Sequence, residues 1–169
     1  YLEAIDQYAA LEGYGDSSAK IQEAKYLLAL SHKEKEEYQQ AITLLSALGK
    51  YKDAPAQLSA CRYAQATLWL EAGELQNAAE AFEALGKYED APALFQRASY
   101  TLAQQARDAG ELAQAGRLFA AISGYEDAAE QSESAFDEYY AQVQEDAAQA
   151  MDSKDYKAVV DILQDMELE

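Results

Sequence analysis

The sequence "ALGKYKDAPAQL" at residues 47–58 returns as "ALGKYEDAPALF" at residues 84–95, with nine of the twelve positions identical. Shorter versions occur as "LEGYGDS" at residues 11–17 and "ISGYEDA" at residues 122–128. In all four phrases the tyrosines and the aspartates are 37 residues apart, at Tyr14, Tyr51, Tyr88 and Tyr125 and at Asp16, Asp53, Asp90 and Asp127. A fixed period of this length predicts a solenoid, in which each unit buries its apolar face against its neighbours. We call these phrases the first to fourth joints between units.

Each unit is predicted to hold two helices. Asp53 fits the N-cap of a first helix over about residues 54–72, and Pro55 is tolerated in its first turn. Gly73 fits the left-handed position that ends a helix, so a shorter second helix is predicted over residues 75–85. The same signals recur one period later at Asp90, Pro92, residues 91–109 and Gly110, and Gly49 and Gly86 are predicted to end the shorter helices.

The two ends of the chain depart from the regular units. Residues 1–13 align with a second helix, so we interpret the chain as a piece of a longer protein that starts in mid-unit. The last second helix, "DYKAVVDIL", arrives seven residues late, which is about two helical turns and predicts a longer first helix before it. We predict one repeat domain over residues 1–169, with regular units at 14–50, 51–87 and 88–124, and a terminal cap at 125–169 whose outer face meets water.

The segment "AGELQNAAEAFEALG" at residues 72–86 resembles the second half of a tetratricopeptide repeat, and Ala66 and Trp69 match the small and aromatic positions of its first half. The resemblance covers nearly the whole chain, but the period is 37 rather than about 34 and the opening Trp-x-x-Leu-Gly signature is missing. It also departs at Gly73, whose counterparts are Glu36 and Lys154.

This resemblance implies an all-α fold, a right-handed superhelix of antiparallel helix pairs with a concave groove that holds peptides. It further implies a helical-repeat region of a larger bacterial protein. Because some such proteins are membrane-anchored, the resemblance alone also raises an extracytoplasmic location.

The chain is strongly acidic, with 31 acids, 13 bases and a formal charge of −18. The charge is uneven, since residues 125–169 hold 14 acids and two lysines. A surface this negative repels nucleic acid and anionic lipid, whereas basic peptides would be attracted to it. The alternative is that the charge serves solubility alone. No apolar run is long enough to span a bilayer, so we expect no membrane insertion by this chain, and we expect a monomer.

The sequence offers little for catalysis, and we predict no enzyme, no cofactor and no metal site. His32 is the only histidine and Cys61 the only cysteine, and they lie a full unit apart in sequence, which disfavours a Cys/His nucleophile pair. We predict that His32 has a structural role and that Cys61 is a packed thiol. The "MDSKDY" segment at residues 151–156 lacks the ligand alternation and the central glycine of a calcium loop.

We predict that a protein or peptide partner binds along the first helices, where residues around a repeated helical tyrosine differ between units. The predicted groove residues are Tyr26, Leu30, Lys33, Tyr63, Thr67, Leu70, Arg97, Tyr100, Gln104 and Arg107. Arg97 and Arg107 are nearly three turns apart, so they lie roughly on one face and could clamp a carboxylate. Alternatively, the arginines balance acidic neighbours and the helical tyrosines serve packing.

The joint tyrosines are expected to pack between units, each hydroxyl reaching water or a backbone carbonyl. Two functions follow from these predictions: a non-catalytic binding module, or a rigid spacer with no ligand in its groove.

Overall fold

The computed structural model describes residues 1–10 and 14–168, and every regular element in these residues is an α-helix. Residues 11–13, which open the first joint, lie outside the described residues. The helices are α1 (Leu2–Ala9), α2 (Ser17–Glu34), α3 (Tyr38–Leu48), α4 (Ala54–Glu71), α5 (Leu75–Leu85), α6 (Ala91–Asp108), α7 (Leu112–Ala121), α8 (Ala128–Asp152) and α9 (Tyr156–Leu168).

The predicted helix pairs are confirmed almost to the residue. The first helices α4 and α6 end one residue before their predicted ends, and α5 has the predicted bounds. The late arrival of the last second helix is explained by α8, which has 25 residues where α4 and α6 have 18. Because the extra seven residues are nearly two full turns, α8 lengthens without changing the face that it presents.

The chain forms two compact units, Tyr1–Phe95 and Gln96–Glu169, with the boundary inside α6. In the first compact unit each helix from α1 to α4 packs against the next along the chain, so that the series ends at α5. In the second unit α8 packs against both α7 and α9. Each unit is therefore a stack of sequential helix neighbours, as repeat architectures require.

The ends of the first helices share one backbone conformation whatever the residue type. Gly73 and Gly110 have φ of +78° and +80°, as the predicted left-handed cap requires. Glu36 and Lys154 stand at the same position in the other units and take φ of +61° and +60°. The left-handed turn is therefore kept at this repeat position even where the residue has a Cβ, which is strained in that conformation.

Small residues of the first helices set the spacing in the core. Cys61 is fully buried, in a cluster with Leu45 of α3 and Ala54 at the start of α4. The equivalent small residues of α6 and α8 are also fully buried: Ala91, Ala98, Ala128 and Ala135. Side chains of this size allow helices to approach closely, and larger residues of the second helices fill the space between them. The predicted packed thiol is confirmed, and burial raises the pKa of Cys61.

Helix α9, the second helix of the last repeat, is more exposed at equivalent positions than the second helices α3, α5 and α7 before it. Leu45, Phe82 and Phe119 occupy one repeat position and are at most 1% exposed, whereas Leu163 at that position in α9 is 46% exposed. Tyr156 and Val160 on α9 are 61% and 52% exposed. The acidic last unit therefore presents an apolar stripe at positions that are covered in earlier units.

Candidate functional site

Each helical tyrosine donates its hydroxyl to the aspartate of the following joint. These pairs are 27 residues apart in sequence and are Tyr26–Asp53, Tyr63–Asp90 and Tyr100–Asp127. The same tyrosine rings meet the joint tyrosines Tyr51, Tyr88 and Tyr125 at centroid distances of 6.0, 5.8 and 5.6 Å. We call each such group a tyrosine–aspartate latch. It ties a first helix to the joint that precedes the next first helix.

The latches change the acidity of their members. In the latch of the second compact unit, the hydroxyl of Tyr100 and then the amide of Gln131 lower the pKa of Asp127, because both donate to its carboxylate. In the first compact unit the side-chain amide of Gln57 and then the hydroxyl of Tyr26 lower the pKa of Asp53 in the same way. The pKa values of Tyr26, Tyr63 and Tyr100 are raised, chiefly because a neutral hydroxyl is needed to donate to the carboxylate.

The joint aspartates hold the predicted N-cap positions but have a different bonding role. Asp16, Asp53 and Asp127 stand at the N-caps of α2, α4 and α8, and none of their side chains makes a capping hydrogen bond. Asp53 and Asp127 accept hydrogen bonds from latch tyrosines instead. The spacing of 27 residues is the same in every repeat, but any two repeated columns share that property, so the sequence pattern did not identify this pairing.

One variable position of the predicted groove, held by Lys33, Leu70 and Arg107 in successive repeats, meets partners inside the chain. Lys33 donates to Gln57 at 2.7 Å, and Arg107 donates to Gln131, to Ser134 at 2.9 Å and to Glu138. Leu70 and Leu94 stand at the equivalent positions of the intervening unit, and both pack against the buried cluster around Phe82. The polar pair Lys33 and Gln57 is thus replaced by two leucines in the next repeat. A change of residue type at the first position is accompanied by a matching change 24 residues later in the sequence. Arg107 balances an acidic neighbour, which was the alternative interpretation.

The other predicted groove residues have mixed surroundings. Leu30 packs against the Leu45 cluster, and the Thr67 hydroxyl donates to the carbonyl of Tyr63 at 3.0 Å. Arg97 and Gln104 are exposed on α6. Arg97 and Arg107 thus share a helix, but the guanidinium of Arg107 is already bound to a carboxylate within the second unit. Binding of a partner at these residues stays a prediction.

The second joint contains a built-in cation. The Lys52 ammonium lies 5.0 Å from the ring centroid of Tyr26 and 5.4 Å from that of Tyr51, and it pairs with the Glu23 carboxylate at 2.5 Å. Tyr51 also donates to Glu23, at 2.6 Å. Its hydroxyl therefore reaches a carboxylate rather than the expected water or carbonyl. Glu23 raises the pKa of Lys52, and Lys52 is the largest cause of the lowered pKa of Glu23.

The first joint has no such packing. Tyr14 is 83% exposed, so the prediction that every joint tyrosine packs between units is wrong for this residue.

At the third joint the same two tyrosine positions line an open cleft of about 490 Å³. We call it the Tyr63–Tyr88 cleft, and its lining residues are Ala60, Tyr63, Tyr88, Glu89 and Asp90. It lies on the face of α4 that was predicted to form the groove. Tyr63 is half-buried here, whereas Tyr26, under Lys52, is buried.

Two further clefts lie elsewhere. One of about 410 Å³ lies between the start of α7 and the second half of α8, where Leu112, Tyr139 and Val143 are among its lining residues. Another, of about 310 Å³, is lined by Ile42, Trp69 and other residues of α3, α4 and α5. Neither contains a predicted groove residue.

The structure places the candidate catalytic residues in ordinary surroundings. His32 Nδ1 lies 2.6 Å from the Glu37 carboxylate, a contact that bridges the end of α2 and the start of α3. In the described part of the chain, no group of three or more His, Cys, Asp or Glu side chains is arranged to hold a metal ion. No helix within residues 1–10 and 14–168 has the length and hydropathy needed to cross a bilayer.

Comparisons with protein-family models, with curated proteins and with solved structures give no match.

Proposed function

We propose that the chain is a non-catalytic binding module of tetratricopeptide-like type, a right-handed superhelix of helix pairs that holds a protein or peptide partner on its first helices. By resemblance, it would be one region of a larger bacterial protein. The 37-residue period and the packing of sequential helices support the repeat architecture.

The observation that carries the binding function is the Tyr63–Tyr88 cleft. It brings two amphipathic rings and two carboxylates together on a face that the repeat leaves open to solvent. Tyrosine rings offer large contact area at low entropic cost, and they are enriched where proteins bind partners. The chain's negative charge favours a partner with basic residues.

A rigid spacer is the second candidate, and the latches favour it. Three tyrosine–aspartate pairs and the Arg107–Glu138 contact use predicted groove residues to fix neighbouring helices. A spacer needs such contacts and no open cleft. The two functions therefore differ in whether the first-helix face binds anything.

Selection of a displayed random peptide library on the immobilised chain separates these functions. Enriched peptides would be measured by fluorescence anisotropy against a variant with Thr67→Arg and Gln104→Arg, both on first helices. A matched control carries Thr43→Arg and Gln76→Arg on second helices, where Thr43, like Thr67, donates to the carbonyl four residues earlier. We expect at least a tenfold loss of affinity in the first variant and none in the control. No enrichment, or equal loss in both variants, would favour the spacer.

A further inference from the structure

The Tyr63–Tyr88 cleft differs from its counterpart at the second joint in the groups that the chain itself supplies. At the second joint, Lys52 fills the space over the two rings and Glu23 holds its ammonium. At the third joint the corresponding residues are Glu89 and Ala60. The exchange removes the cation and leaves the number of carboxylates unchanged, because Glu89 supplies the one that is lost when Ala60 stands in place of Glu23.

The remaining positions of the network have changed in the same direction. Asp53 accepts from Tyr26 on one carboxylate oxygen and from Gln57 on the other. Asp90 accepts from Tyr63, but the position of Gln57 is taken by Leu94, whose side chain has no donor. Lys33, which holds Gln57, is likewise replaced by Leu70. Three donors of the second joint are therefore lost together at the third.

The fourth joint indicates that this loss is specific to the cleft. There Arg97 and Glu126 occupy the repeat positions of Glu23 and Lys52, so these two positions again carry opposite charges, with their places exchanged. Gln131 again donates to the joint aspartate. Among these three joints, the third alone has an acid without an opposite charge at the paired position and an aspartate without the glutamine.

We propose that the Tyr63–Tyr88 cleft binds a lysine or arginine side chain of the partner, with the cation over the two tyrosine rings and against the carboxylates of Glu89 and Asp90. Lys52 shows the arrangement inside the same chain, because its ammonium contacts an equivalent ring pair. A cation over an aromatic face is attracted by the negative face of the ring, and ionised carboxylates strengthen the hydrogen bonds that it donates. The inference rests on the proposed function and names the chemistry of its ligand.

The residues of the second joint suggest a variant that should block the Tyr63–Tyr88 cleft. Ala60→Glu with Glu89→Lys installs the second joint's pair in the cleft. The backbone is compatible, since Lys52 and Glu89 have nearly the same φ of +46° and +47°. We expect the introduced ammonium to occupy the space over the rings and to exclude an external cation, while the helix content is unchanged.

The test uses nuclear magnetic resonance of the whole chain, with Nα-acetyl-lysine amide and Nα-acetyl-arginine amide as probes and Nα-acetyl-norleucine amide as the uncharged control. We expect saturable shifts of the Tyr63 and Tyr88 ring signals by both cations, with dissociation constants on the order of millimolar. The blocking variant should weaken this binding at least tenfold. Tyr100 and Tyr125, whose joint has Arg97 at the repeat position of Ala60, should show no saturable shift.

Equal shifts with norleucine, or unchanged cation binding in the blocking variant, would overturn the proposal. Its failure is distinguishable from failure of the proposed function. If selected peptides bind the first-helix face without needing a lysine or arginine, the module stands and the cation site is wrong. If the probes bind but no peptide is enriched, the cleft stands and the peptide-binding function fails.

Discussion

At the scale of single residues, the same tyrosine–aspartate hydrogen bond joins a first helix to the following joint in three successive repeats. The latch places a neutral donor, the tyrosine hydroxyl, against an ionised acceptor, the aspartate. Such a bond depends on the charge state of both partners, and the pKa values move apart accordingly, downward for Asp53 and Asp127 and upward for the tyrosines. Stability should therefore depend on pH at both ends of the scale.

The latch of Tyr100 and Asp127 allows this dependence to be measured. A lowered carboxyl pKa contributes stability that is present above the unfolded value of about 3.9 and is lost as the pH falls through the folded value. A raised tyrosine pKa contributes stability that is present below about 10 and is lost as the pH rises through the folded value. We expect Tyr100→Phe to lower the melting temperature at neutral pH, with a difference from wild type that shrinks towards both extremes.

Circular dichroism melts across the pH range would test this expectation. Tyr125→Phe is the matched control, since its ring packs on Tyr100 while the Tyr100–Asp127 bond is left in place. A difference for Tyr100→Phe that stays constant with pH would contradict the assignment of this bond.

A second residue-scale prediction concerns the left-handed helix ends. Glu36→Gly should stabilise the chain by about 0.5–1 kcal/mol, because glycine relieves the Cβ strain at φ of +61°. The reverse change, Gly73→Ala, should destabilise it by a similar amount. No heavy atom lies within 4 Å of a Cβ built on Gly73, so only backbone strain is at issue. Urea unfolding would measure both, and a destabilising Glu36→Gly would be inconsistent with a strained cap.

At the scale of helices, packing depends on small residues in the first helices and larger ones in the second. One contact reverses these sizes, because Gly116 of the second helix α7 faces Phe136 of the first helix α8, and a Cβ on Gly116 would stand 2.8 Å from that ring. The same repeat position can also have different surroundings, as the exposed stripe on α9 demonstrates. Identity in the sequence pattern therefore does not guarantee equal burial.

Leu45 and Leu163 form a matched pair for this point. They share a repeat position, but their exposures are 1% and 46%. We expect Leu45→Ala to cost about 2–5 kcal/mol of unfolding free energy, because it leaves a cavity in the core. Leu163→Ala should change it by less than about 0.5 kcal/mol. Denaturant unfolding of both variants would decide, and equal losses would show that α9 is covered in solution.

At the scale of the whole molecule, the proposed cation site makes the joints copies of one arrangement that differ in the charged group the chain itself supplies. The second joint is filled by Lys52, and the third offers the same rings with carboxylates alone. A chain with a charge of −18 adds a long-range attraction for basic partners, which raises association rates and falls with salt. Specificity would then come from the cleft, and the net charge would contribute mainly to encounter.

Much of this architecture was accessible from the sequence. The 37-residue period, the caps and the apolar spacing predicted the helix pairs, and the seven-residue delay predicted the long α8. The bonding within the joints was not predicted, because N-cap preference accounts for an aspartate equally well and a hydrogen bond across 27 residues has no local signal. The pairing of Lys33 with Gln57 was missed for the same reason. The sequence pattern predicts which residues share a face of a helix and could contact a ligand. It does not predict which of those residues already bond to a neighbouring helix.

The most direct test of the account is a crystal structure of the Ala60→Glu, Glu89→Lys variant. If the joints are equivalent sites that differ in the cation supplied, the introduced ammonium should lie about 5 Å from both ring centroids, as Lys52 does at 5.0 and 5.4 Å, and should pair with the introduced carboxylate. An ammonium directed into solvent, with the rings of Tyr63 and Tyr88 in unchanged positions, would contradict the claim that this cleft is built to receive a cation.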